Sequence, residues 1–233
     1  MKTKQLFFIF AFCLLGNTLF AQVGKFNVGV DVYTNYSVYS GEERYNAKVA
    51  AKPAITFGVV ASYQFNNKVS VESGLKYVNR GHEENGYNGY NGYDHYLIDI
   101  TFPHSYYSSD SKTVQNYNYL SVPLNVRLSL NNHFDKGFYL RFGVSADFFL
   151  SGEAKRTYTD FSGENRLGTY ANNEDIRKTH LNLNYGIGYA FLFPKNFQLS
   201  VEPAFEYMFY KMYHKGGEFS YNSAGIKLRF MFL

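Results

Sequence analysis

The side chains able to do chemistry in this chain are charged residues set singly between apolar neighbours. Asp31 lies between Val30 and Val32, Glu72 follows Val71, and Lys76 lies between Leu75 and Tyr77. Arg127 is flanked by Val126 and Leu128, Arg141 by Leu140 and Phe142, and Asp147 by Ala146 and Phe148. Glu202 follows Val201, Glu206 lies between Phe205 and Tyr207, and Lys227 and Arg229 flank Leu228. In an extended chain successive side chains take opposite faces, so every one of these charges, and Arg80 with them, shares a face that excludes the apolar set. Charges confined together must pair, because an unpaired one is costly where water is scarce. The near balance of acids and bases supports two readings. One is a structural ion-pair network that closes an interior, and the other is a narrow or gated polar path for a small solute.

Catalytic arrangements are weak by comparison. His82, His95, His104, His133, His180 and His214 fall in predicted loops or near strand ends, and none forms a spaced pair of the kind that holds a metal. A lipid-modifying hydrolase would need Ser, His and an acid converging on one outward rim. His180 and His214 fall near such a rim, but serine is too common for the coincidence to carry weight. No phosphate-binding glycine loop is present, so no catalytic residue, cofactor or metal ligand is assigned and the protein is read as a non-enzyme. The single cysteine, Cys13, lies near the N-terminus, so the rest of the chain has neither thiol nor disulfide chemistry.

The elements that carry the charged face are strands. Period-two alternation places them at about 25–36, 53–65, 69–80, 117–130, 138–150, 179–193, 197–210 and 221–233, eight in all. Pro123 and Pro203 interrupt two of them and predict a local bulge at each. Connections alternate in length: 37–52, 81–116, 151–178 and 211–220 are long, whereas 66–68, 131–137 and 194–196 are short. That sorting, with charges inside and hydrophobic residues outside, predicts an all-β, eight-stranded, antiparallel up-and-down transmembrane β-barrel with long extracellular loops and short periplasmic turns. Phe26, Phe65, Phe138, Phe193, Phe197 and Phe232 would ring one interface, and Tyr36, Tyr77, Tyr117 and Phe209 the other.

Residues 1–21 carry Lys2 and Lys4, an apolar run from Leu6 to Leu15 and a break at Gly16, and they read as a signal peptide cleaved after Ala21. The barrel domain is then 22–233, and the destination is the outer membrane of a Gram-negative bacterium. Removing Lys2 and Lys4 from the 23 basic residues leaves 21 against 19 acidic ones, a balance that gives no support to nucleic-acid binding. The expected partners are outer-membrane lipid and, through the C-terminal strand, the barrel-insertion machinery. The longest loop repeats Asn-Gly-Tyr three times over Asn85 to Tyr93. Asn-Gly favours turns and tyrosine supplies contact surface at little entropic cost, so Tyr87, Tyr90 and Tyr93 are candidates for contacting a surface glycan or a protein.

Several segments carry a family resemblance. They are the Phe-Ala-Gln at the signal end, Tyr119-Leu120-Ser121-Val122-Pro123-Leu124, the Gly-x-Gly-Tyr of Gly186 to Tyr189, and Gly225-Ile226-Lys227 opening a closing strand that ends on Leu233. Together they resemble the porin-family, PorT-like outer-membrane β-barrel proteins of Bacteroidota, and Pro123 is then a family feature. The resemblance implies an integral outer-membrane barrel and transfers no activity. The leading expectation is a structural or surface-interaction protein, with a small-solute channel as the alternative and a lipid-modifying enzyme third.

Overall fold

The computed structural model describes residues 25–41, 48–86, 111–131, 133–159, 164–171, 178–194, 197–209, 212–214 and 217–233. Ten strands occupy them: β1 (Lys25–Gly41), β2 (Lys48–Gln64), β3 (Val69–Gly86), β4 (Ser111–Ser129), β5 (Gly137–Thr159), β6 (Asn165–Ala171), β7 (Thr179–Phe193), β8 (Phe197–Met208), β9 (Met212–His214) and β10 (Gly217–Phe232). Eight of them, β1, β2, β3, β4, β5, β7, β8 and β10, pair in that order, and β10 returns to β1. The ring is closed and antiparallel throughout. β6 attaches only to β5, and β9 only to β10.

The ladder registers fix the geometry. From Asn27, successive partners are Ser62, Glu72, Asn125, Gly143, Asn184, Glu206 and Ser223, and the path returns to β1 at Ser37, ten residues from its start. Eight strands with that stagger tilt by roughly 40° and enclose a backbone radius of about 8 Å. Such an interior is wide enough only for the barrel's own side chains.

The two faces divide as the alternation requires. Outward, Val28, Val30, Phe57, Val59, Leu75, Leu124, Phe142, Val144, Ile187, Phe205 and Ile226 are exposed. Inward, Asn27, Asp31, Ser62, Glu72, Lys76, Asn125, Arg127, Arg141, Asp147, Glu202, Lys227 and Arg229 are buried. This is a soluble fold turned inside out, and a belt of exposed apolar side chains around a whole barrel is stable only in contact with lipid.

Three expectations from sequence need correction. No bulge forms at Pro123 or Pro203. The ladder keeps its register through the Pro123↔Ser145 and Ile226↔Pro203 pairs, and proline costs pairing only toward one neighbour. The irregularities lie instead between Ala51 and Thr56 in the β2–β3 ladder and between Asn118 and Tyr119 in the β4–β5 ladder. The described parts of the outer connections are also largely strand. β1 and β2 leave only 42–47 between them, β3 continues to Gly86, and β5 runs to Thr159 and folds back as β6. Finally, Tyr117 does not join an outer girdle. It faces inward and is buried.

Above the membrane the ring opens. β1 and β2 pair as far as Ser37↔Lys52. Beyond that point Val38 to Gly41 remain with β10, while Lys48 to Ala51 remain with β3. The upper part of the molecule therefore includes a projecting sheet of β2, β3, β4, β5 and β6.

Candidate functional site in the barrel lumen

The lumen fills in three layers, in which side chains from non-adjacent strands meet across the ring. At the periplasmic end the turn before β5 folds inward and buries Phe134. The Arg127 guanidinium stacks between rings, 4.5 Å from the centroid of Phe134 and 3.9 Å from that of Tyr139. It also donates to Gln198 Oε1 at 3.2 Å and to the Phe134 carbonyl at 3.4 Å. Among the described residues no carboxylate lies within ion-pair distance of Arg127. The expectation that each inward charge meets an opposite one therefore does not hold here, because aromatic faces and carbonyl oxygens take the place of an acid.

The middle layer holds most of the charge. Arg141 Nε donates to both Glu202 oxygens, at 2.8 and 3.0 Å, and its Nη2 also contacts Oε1. Lys227 lies 3.8 Å from the same carboxylate. Arg229 reaches Glu72 at 2.6 Å and Asp31 at 3.4 Å, and Lys76 reaches Asp31 at 2.8 Å. A second group sits toward the outside. Arg80 contacts Glu206 at 2.9 Å and Asp147 at 3.0 Å, and it donates to Asn182 Oδ1 at 2.9 Å. Asn182 in turn donates to Asp147 at 2.8 Å. Tyr33 crosses the space from β1 and donates to the Ala204 carbonyl of β8 at 3.0 Å.

Glycines on the inner face make two of these bridges possible. Gly58 is the ladder partner of both Asp31 and Lys76, which bond over the strand between them. Gly186 is the partner of Arg141 on one side and Ala204 on the other, and a Cβ there would come within 2.5 Å of Glu202 Oε1. A side chain at either position would fill the gap that the bridging cation crosses.

The outer layer is aromatic. Tyr117, Tyr119, Tyr221, Met208 and Val78 form a buried cluster, with Tyr39 and Phe149 packed against it. His180 meets the Tyr119 ring at 5.4 Å and is buried. His82, which lies within β3 and not in a loop, is also buried. Its Nδ1 contacts the Tyr221 hydroxyl and its Nε2 lies 2.7 Å from Glu84 Oε1. Sequence reasoning missed this acid, imidazole and hydroxyl chain, because Tyr221 on β10 meets His82 and Glu84, two residues apart on β3, only when the two strands face each other across the ring.

The structure thus brings together nine of the charged residues singled out in sequence, Asp31, Glu72, Lys76, Arg141, Asp147, Glu202, Glu206, Lys227 and Arg229, and keeps Arg127 apart from the acids. Tyr87, Tyr90 and Tyr93 lie outside the described residues, as do His95 and His104. His133 is exposed at the opposite end of the barrel from His82 and His180. No cluster of potential metal ligands occurs among the described residues.

A buried charge network inside a ring with a lipid-compatible exterior is a membrane-barrel arrangement, and the sequence agrees. Residues 20–213 match the family model of the outer membrane protein beta-barrel domain. The chain belongs to that family. It is accordingly an outer-membrane β-barrel protein of a Gram-negative cell, and β10, which closes the ring, lies beyond the matched residues. Among solved structures it is similar to Neisserial surface protein A, with 12% identity, TM-score 0.44, and 91% of this chain and 99% of that one covered. The attachment invasion locus protein Ail of Yersinia pestis, solved with the heparin analogue sucrose octasulfate, shows 14% identity, TM-score 0.39, and 88% and 99% coverage. OprG from Pseudomonas aeruginosa shows 10% identity, TM-score 0.37, and 90% and 93% coverage. No curated protein matches the sequence.

Proposed function

We propose that this family member is a closed, non-enzymatic barrel of the PorT-like group, which anchors an extracellular β-sheet and its loops in the outer membrane. The filled lumen carries the reading. Arg127 with Phe134 and Tyr139, the ion-pair network, and the cluster of Tyr117, Tyr119 and Tyr221 occupy the interior from end to end. Specificity would then reside outside, in the sheet of β2 to β6 and in the Tyr87, Tyr90 and Tyr93 repeat, with a glycan or protein as the partner. In the same reading residues 1–21 are removed on export, and the β10 strand engages the insertion machinery.

The test is planar-bilayer recording of chain folded in detergent and shown to be folded by a heat-modifiable band on electrophoresis. A folded band without steady conductance is the expected result. Steady, ion-selective conductance from wild type would replace this reading with a small-solute channel.

A further inference from the structure

We propose that the outer face of the barrel carries a binding site for the phosphate of an outer-leaflet lipid, built around Lys52 at the extracellular edge of the apolar belt. Lys52 stands where β2 loses register with β3, between Ala51 and Thr56. A register shift of this kind re-aims side chains. The Lys52 ammonium accordingly lies across β3, donating to Asn79 Oδ1 at 3.0 Å and to Asn116 Oδ1. Asn79 donates to Asn118 Oδ1 at 2.7 Å, and Asn118 donates to Ser151 Oγ at 3.0 Å. Asn79 stands two residues from Tyr77 and Asn118 two from Leu120, so they belong to the lipid-facing side of β3 and β4. Below them that face is apolar, with Phe57, Val122, Phe148 and Leu150 exposed.

The donor inventory fixes the ligand class. An ammonium only donates, so both asparagine oxygens it contacts are settled as oxygens, and the amide of Asn79 must then present its NH2 to Asn118. Each of the three amide oxygens thereby already holds one donor. What remains toward lipid is the third Lys52 hydrogen, the Asn116 NH2 and the Ser151 hydroxyl, a set that suits an anion. Two carboxylates border the group and each faces its own lysine: Glu83 and Lys112 at 2.6 Å, Glu153 and Lys155 at 3.5 Å. Among the described residues Lys52 has no carboxylate at ion-pair distance. A cation with no described carboxylate in direct contact, at this height, meets the headgroups of the outer leaflet, where the abundant anion is lipid phosphate.

Native mass spectrometry of the full chain, folded in detergent, tests the site. It would be titrated with bisphosphorylated lipid A, with the same lipid after removal of both phosphates, and with inorganic phosphate. Bound lipid A in wild type, weakened about fivefold by Lys52→Gln and restored by Lys52→Arg, is the expected result, since one lysine at an anionic membrane surface is worth about that factor. The dephosphorylated lipid should bind no better to wild type than to Lys52→Gln. Equal binding of the two lipids by wild type would overturn the proposal without any variant, and so would unchanged lipid A binding in a folded Lys52→Gln. Inorganic phosphate held as tightly as lipid A would assign the site to the free ion and overturn the lipid assignment. Should Lys52→Gln fail to fold, Ser151→Ala takes its place. Unaltered lipid A binding in that variant, together with no preference of wild type for the phosphorylated lipid, rejects the site.

Discussion

Arg141 on β5 and Glu202 on β8 are joined in a bidentate ion pair across β7, over the bare backbone of Gly186. Neither residue is a ladder neighbour of the other, so the pair ties together two strands that the sheet holds apart. Removing one partner leaves a buried charge unmatched and costs about 3–5 kcal/mol, whereas replacing both with apolar residues of similar volume is often neutral. Glu202→Gln and Arg141→Met should therefore each lower unfolding stability in lipid vesicles by about 3 kcal/mol, and replacing Arg141, Glu202 and Lys227 together by apolar residues, Lys227 being 3.8 Å from the same carboxylate, should cost less than either alone. Single variants as stable as wild type, accompanied by new conductance, would mean that the lumen is hydrated and the pair is weak.

Gly186 should be intolerant of the smallest side chain for the same reason. An added methyl would stand 2.5 Å from Glu202 Oε1 and would push the carboxylate off Arg141. Gly186→Ala is expected to lower stability by about 1–3 kcal/mol, the usual range for overpacking. In the Glu202→Ala background the side-chain atoms that the methyl would meet, Cγ as well as the carboxylate, are gone, and the cost should shrink. An equal cost in both backgrounds would show that backbone geometry, and not the bridging pair, demands glycine.

Arg127 and Arg229 look alike in sequence, each a basic residue between two apolar ones, but their surroundings rank them differently. Loss of Arg229 strands Glu72 and leaves Asp31 with Lys76 alone, whereas loss of Arg127 leaves aromatic rings and carbonyl oxygens and no unmatched acid. Arg229→Met should cost about 3–5 kcal/mol by the penalty for an unmatched buried charge, and Arg127→Met about 1–2 kcal/mol by the weight of a desolvated cation–π contact. Urea unfolding of the two variants in vesicles gives the ranking, and the reverse order would refute the assignment of their partners.

That ranking also marks what the sequence could reveal. Inward and outward faces were legible wherever one side met lipid, because Leu120, Val122 and Leu124 alternate with Ser121, Pro123 and Asn125 with no exception. The partners across the lumen were not legible, since alternation assigns a face and says nothing about which strand the side chain leans toward. Above the membrane the signal fails for a different reason. Lys112, Thr113, Val114 and Gln115 extend β4 beyond the apolar belt, where no lipid demands an apolar face, so no period-two pattern is imposed, and the β5–β6 hairpin was hidden in what read as a loop. Proline misled in its turn. At Pro123 and Pro203 the missing donor cost pairing without inserting a residue, and the two real irregularities occur elsewhere.

Leu124 and Leu130 separate lipid from water directly. Both face outward and are almost equally exposed, at 55% and 58%. A barrel in water would register arginine at the two sites alike, but Leu124 lies within the apolar belt, five residues before β4 ends at Ser129, and Leu130 just beyond that periplasmic end. In a bilayer Leu124→Arg should cost about 2–4 kcal/mol and Leu130→Arg about 0–1 kcal/mol. Equal costs for the pair in vesicles would contradict the membrane placement of the belt.

Closure of the ring depends on β1 meeting β10, and Val30 is the ladder partner of Phe230. Cys13 precedes every described strand and is the only cysteine in the chain, so a cysteine pair introduced into the barrel reports on that seam alone once residues 1–21 are absent. Val30→Cys with Phe230→Cys should cross-link on mild oxidation of the folded protein and produce a species whose electrophoretic shift persists after boiling until it is reduced. Val30→Cys with Ile226→Cys, displaced four residues along β10, moves the second sulfur by about 13 Å at a strand's rise per residue, beyond disulfide reach. Cross-linking of the displaced pair with the same efficiency would show that β1 and β10 slide past one another, and the ten-residue stagger of the barrel would then be wrong.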